Sequence, residues 1–207
     1  MSTMQGAIYL ALSECYKDPC IEFAEDIASG RVYELISDGL KQLYIPILPD
    51  ILNRLKGDIN MDLGEEEVQN VYNKLKEDYY SLFFPLYVVP VESVYKEWKK
   101  GEDEKGYIMG DPAIEMKKRY EILGIEIPQV YKDTPDHISL LLEYASLLCE
   151  NLSEESRATF VLNHLDWVER LRDDIHKYSQ SDFYRAIADI TVAFVKHERS
   201  NLMALRR

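Results

Sequence analysis

The chain carries four histidines and three cysteines, and its possible chemistry depends on what surrounds them. Di-iron helical bundles need two Glu-x-x-His turns plus two further inward glutamates. The nearest pattern here is Asp173-x-x-His176, which occurs once. His137, His164, His176 and His197 form no H-x-x-x-H or H-E-x-x-H pair, the spacing that sets two imidazoles on one helix face. A helical metal phosphohydrolase wants a His-Asp dipeptide, and this chain has Asp136-His137 in the reverse order. Nucleophilic catalysis fares no better, since neither a Gly-x-Ser-x-Gly elbow nor a Gly-rich phosphate loop is present. Cys149 falls on the apolar side of its helix, away from the partly exposed, electropositive setting a reactive thiolate needs. His164 sits at core spacing and reads as a satisfied core histidine; Trp98 and Trp167 read as packing. No catalytic constellation and no metal site is expected. What remains is one polar corner, Asp136-His137.

That corner must be held by the helix behind it. Thr134 suits an N-cap and Pro135 the first helical position, where a missing N–H costs nothing. Ile138, Leu141, Leu142, Ala145 and Leu148 then recur at three- and four-residue steps, one apolar face of a helix. The same periodicity recurs along the chain. Ile8, Leu12, Cys15 and Tyr16 make a face that Asp18-Pro19 ends, and one or two further helices, with Ser29-Gly30 as a joint, run to about Tyr44. A short helix through Ile51 and Leu55 precedes Gly57. Glu65-Glu66-Glu67 forms a negatively charged first turn, followed by an apolar stripe from Val68 to Phe83 that stops at Pro85. Leu86–Tyr95, broken by Pro90, predicts an extended connector packed over helices, because one lone strand would have no partner. Gly101–Gly106 is a charged loop. Asp111-Pro112 opens a helix that Gly124 closes. Ser153 caps a helix carrying Val161, His164, Leu165, Val168, Leu171 and Ile175, and Ser181 caps another with Phe183, Ile187, Ile190 and Phe194 inward. The expected fold is all-α.

Composition narrows the function. With 24 Lys+Arg against 37 Asp+Glu, the 207-residue chain has a net charge of −13. That argues against a nucleic-acid binder, which shows a basic stripe, and favours a basic peptide or protein partner. The N-terminus lacks the basic-then-apolar pattern of a signal peptide, and no apolar run approaches membrane-spanning length. Cys15, Cys20 and Cys149 form no C-x-x-C pair and no even set, which suits a reducing cytoplasm.

The order of short motifs is more specific than any one of them. Tyr79-x-x-Leu82-Phe83 is followed by Pro90-Val-Glu-Ser-Val-Tyr95 and Gly110-Asp111. Tyr120-x-x-Leu123-Gly124, Pro135-Asp136-His137, Phe160-x-x-x-His164-Leu165-x-Trp167 and Phe183-Tyr184-Arg185-Ala186 come next. This series resembles the TorD/DmsD/NarJ family of chaperones for molybdoenzyme maturation, over roughly residues 65–197 with a weaker match from 5 to 44. The resemblance implies a single all-helical domain across 1–207, with N-terminal helices over 5–60 and a motif-bearing core over 65–200. About ten helices, a long proline-containing connector, and a monomer or a dimer formed by helix exchange are expected. It implies no catalysis and no cofactor of the protein's own. The implied partner is the catalytic subunit of a molybdopterin oxidoreductase, held in the cytoplasm by its twin-arginine leader until cofactor insertion is complete. A NarJ-like variant would hold a non-exported subunit instead. Carried onto this chain, the family's binding region falls on Asp136 and His137, with Tyr79, Phe83, Pro90 and Tyr95 lining a groove. Glu92 is a further acceptor on charge alone. Two departures concern the groove: Phe84-Pro85 replaces the family's frequent Gly-Pro, and Val91 replaces an aromatic. The rival from another class is a metal-dependent hydrolase built on Asp136, His137 and His164.

Overall fold

The computed structural model describes residues 3–56, 64–84, 87–96, 106–151 and 154–205. Helix α1 (Met4–Cys15) begins where Thr3 Oγ1 accepts the Gly6 N–H at 3.1 Å, and it ends ahead of Asp18-Pro19. Helices α2 (Ile21–Ala28) and α3 (Arg31–Gln42) meet at Gly30, whose φ of 80° is open to glycine and costly for other residues. Then come α4 (Pro49–Lys56) and α5 (Glu65–Phe83). The Glu67 carboxylate accepts the Gly64 N–H at 2.7 Å, so the triple-glutamate run serves as a helix start. The connector ends in α6 (Glu92–Tyr95), and α7 (Asp111–Leu123) and a 3-10 turn at Gln129–Tyr131 follow. The chain finishes with α8 (Ile138–Asn151), α9 (Glu154–His164), α10 (Val168–Tyr178) and α11 (Asp182–Leu205). The fold is all-α, as the periodicity predicts, with no strand among the described residues. None of the described helices is long and apolar enough to cross a membrane. Pro85, Trp98, Ser153, Arg206-Arg207 and most of the Gly101–Gly106 loop lie outside the described residues.

The core is built around α8. Ile138, Leu141, Leu142, Ala145 and Leu148 are all buried, each large aliphatic side chain contributing about 1.5–3 kcal/mol. α1 lies along α8 as its main partner, and α11 packs across α1, α4, α9 and α10. α1 also crosses α3 closely at Gly39, where an added Cβ would stand 2.7 Å from Ile8 Cδ1 and 2.9 Å from its Cγ1. Gly39→Ala is therefore expected to destabilise the protein by about 1–3 kcal/mol in urea unfolding. Adding Ile8→Val should recover part of that loss, because it removes the nearest atom of the clash.

Three expectations are corrected. First, α8 starts at Ile138, so Thr134 and Pro135 lie in the turn before it and Asp136-His137 precede the first helical residue. The cause is competition: main-chain groups of this turn pair with the connector, an alternative to the helix ladder. Second, the single helix expected from Val161 to Ile175 is broken at 165–167. Carbonyls at the end of α9 are taken by side chains: Arg199 donates to Val161 and Leu162 at 3.2 and 2.7 Å, Lys96 to Asn163, and Trp167 Nε1 to His164 at 2.8 Å. Third, the extended connector winds into α6 for its last residues and pairs at Val91 with His137, forming an isolated antiparallel bridge.

Candidate functional site

The turn before α8 and the connector before α6 are stitched together. Glu92 N–H donates to Asp136 O at 3.0 Å, and Ile138 N–H to Pro90 O at 2.8 Å, on either side of the Val91–His137 bridge. The Asp136 carboxylate then caps the connector's helix and not its own: Oδ2 accepts from Ser93 N–H at 2.7 Å and from Ser93 Oγ at 2.5 Å. Its other oxygen, Oδ1, is buried with no protein hydrogen-bond partner. Asp136 is 0% exposed. Burial raises its carboxyl pKa above the ordinary carboxylate value, while the two Ser93 bonds pull it down.

His137 caps α8 in place of Thr134. Its Nδ1 accepts the Ser139 N–H at 3.2 Å and meets Ser139 Oγ at 2.7 Å. A main-chain N–H can only donate, so Nδ1 carries no proton and the ring is the neutral Nε2–H tautomer. Burial agrees, depressing its pKa to about 3. Desolvation, more than the helix dipole, keeps the imidazole neutral.

The sign of the resulting pH dependence follows. The unfolded histidine binds a proton below about pH 6.5 while the folded one does not, so stability is lost as pH falls from about 6.5 toward 3. Asp136 and Glu198, whose carboxyls burial raises, act oppositely and make the folded state take up protons first. His137→Asn keeps a capping oxygen near Nδ1 and removes the titration. It is expected to flatten the acid slope of unfolding free energy by roughly 3–5 kcal/mol between pH 6.5 and 3.5. Equal slopes would contradict the buried neutral imidazole.

The expected site residues fall into two groups. Asp136, His137, Pro90 and Tyr95 come together through the stitched turn and α6. Tyr95 is buried there, stacking on Trp167 at 5.3 Å and donating to Asp174 at 2.8 Å. Tyr79 and Phe83 belong to an aromatic cluster between α5 and α11, with ring centroids 5.0 Å apart and 6.4 and 5.5 Å from Tyr184. Tyr131 stands between the groups. Its ring lies 5.0 Å from His137, and its hydroxyl helps raise the pKa of Tyr79 after burial. Tyr131 had no signal in the sequence beyond being aromatic.

Glu92, expected as a second acceptor, is already committed. It is 0% exposed, with Oε1 2.9 Å from Lys96 Nζ and Oε2 2.9 Å from His164 Nδ1. His164 Nε2 reaches Glu115 Oε1 at 3.3 Å, and Glu115 is also held by Arg119 at 2.6 Å. His164 thus bridges two carboxylates, a clamp joining α6, α7 and α9. It is a buried, hydrogen-bonded histidine, as the core spacing predicts. Among the described residues, no three His, Cys, Asp or Glu side chains gather as a metal site would need.

Residues 48–181 match the profile of the nitrate reductase delta subunit family, more than half of the chain. The chain is 23% identical over 186 residues to the chaperone protein TorD of Shewanella pealeana, covering 85% of this chain and 82% of that one. It is 24% identical over 170 residues to the chaperone protein TorD of Vibrio parahaemolyticus, covering 75% and 72%. The matched span contains α5, the connector, the stitched turn and the His164 clamp. The chain belongs to the nitrate reductase delta subunit family, the TorD/NarJ family of redox-enzyme maturation chaperones.

Proposed function

We propose that the protein is a cytoplasmic chaperone that holds the twin-arginine leader of a molybdopterin oxidoreductase subunit, without catalysis, until the cofactor has been inserted. The observation that carries this reading is Asp136: a buried carboxylate with one oxygen on Ser93 and the other bonded to no protein group. A guanidinium is the guest that suits it, because charge-assisted bonds from arginine satisfy an unpaired carboxylate oxygen. The neutral His137 beside it does not repel a cation, and the net charge of −13 attracts one. Access requires the connector to lift from the turn. That motion breaks the two main-chain bonds flanking the Val91–His137 bridge, each worth about 0.5–1.5 kcal/mol, a cost that ligand binding can meet. Tyr95 and Phe83 are buried in this closed arrangement, so the same motion must uncover them before they can meet the apolar part of a leader.

Affinity capture from cells making a molybdopterin oxidoreductase tests the reading, with bound chains identified by mass spectrometry. The expected catch is the large apo-subunit with its leader uncleaved. Recovery of no such subunit from those cells would contradict it.

A further inference from the structure

A cleft opens on the far side of the same turn. It has a volume of about 260 Å³ and lies between the 125–128 segment and one face of α8. Its floor is apolar and buried, made by Tyr120, Leu140 and Tyr144. Ile125, 37% exposed, stands at the rim, so the apolar lining continues from the buried floor to the surface. The rim also carries charge. Glu126 and Glu143 line the cleft. Glu143 shares Lys17 with Glu14, so two carboxylates stand against one ammonium there.

The cleft and the Asp136 corner have a common wall. The Tyr120 hydroxyl lies 3.4 Å from both Pro135 O and Leu140 O, touching the turn on one side and lining the cleft on the other. Leu140 and Tyr144 follow Ile138 along α8 by roughly 3–9 Å at 1.5 Å per residue. An extended peptide covers that distance in about one to three residues. A guest with arginines at the corner would therefore bring its next few side chains over the cleft.

We propose that this cleft takes the first large apolar side chain downstream of the leader's arginines, while Glu126 and Glu143 face its cationic part. The proposal rests on the leader-binding reading above and adds a second, apolar subsite to it. Charge selects the occupant: an apolar segment flanked by cations fits this rim, and one flanked by acidic residues does not.

The test uses the full chain and a twin-arginine leader peptide with benzophenylalanine at its first apolar position after the arginines. Cross-links mapped to 125–128 or 140–147 are expected. Ile125→Glu, at an exposed rim position that leaves the floor intact, is expected to weaken leader binding about tenfold by placing a charge against the apolar guest. Tight leader binding with cross-links confined to Tyr79, Phe83 or Tyr95, or unaltered by Ile125→Glu, would overturn the cleft and leave the leader reading standing. No leader binding to the unmodified protein would overturn both.

Discussion

Asp136→Asn is expected to weaken binding of a twin-arginine leader by about tenfold to a hundredfold while leaving the protein as stable as before, or more so. Asparagine keeps a carbonyl oxygen where Oδ2 accepts from Ser93, so the cap on α6 survives. It places an NH₂ group where Oδ1 stood, and that group donates where a guanidinium needs an acceptor. The loss corresponds to one charge-assisted hydrogen bond, about 1.5–3 kcal/mol. Stability moves the other way for a physical reason. Burial raises the Asp136 pKa, so keeping this carboxyl ionised at neutral pH disfavours the folded state, and the amide has no such cost. Fluorescence anisotropy with a labelled leader and a urea titration measure the two quantities. Unchanged affinity would remove Asp136 from the site, and a large loss of stability would show that its role is structural.

The largest stability effect is expected at His164. In His164→Leu the Glu92 carboxylate, fully buried, keeps only Lys96, and Glu115 loses its link to α9. Removing one partner from a buried ionic network costs about 3–5 kcal/mol, and the surviving Lys96 bond reduces this to about 2–4 kcal/mol. For a chain of this size that is a fall in melting temperature of roughly 5–15 °C. Combining His164→Leu with Glu92→Gln should recover part of the loss, because the charge left without its partner is gone. A loss below about 0.5 kcal/mol would contradict the clamp. A double mutant less stable than the single would show that Glu92 is stabilised by something other than His164.

The helices were legible because they rest on local signals. The 3.6-residue stripes, Gly30, Gly124, Pro19 and Asp111-Pro112 each act within a turn or two of where they stand, and the structure follows them. The start of α8 and the break between α9 and α10 were not legible. Both are decided by partners far along the chain: Ser93 and Pro90 for the turn at 134–137, Arg199 and Lys96 for the carbonyls of 161–163. The same limit applies to the site. Asp136-His137 was visible as an odd polar pair before an apolar helix, and the ordered motifs pointed to the same residues. That Asp136 is enclosed, that Glu92 is already paired, and that the Tyr131 ring packs on His137 are facts of tertiary contact. Spacing along the chain carries no trace of them.

One titration tests most directly whether the protein reads arginine in a leader. Leader peptides from the host's molybdopterin oxidoreductases are compared with versions in which both arginines are lysines, at equal charge and ionic strength. Lysine presents a single ammonium in place of the planar fork, so saturable binding of the arginine form and at least about tenfold weaker binding of the lysine form are expected. Equal affinity for the two forms, or no binding of either, would contradict arginine recognition.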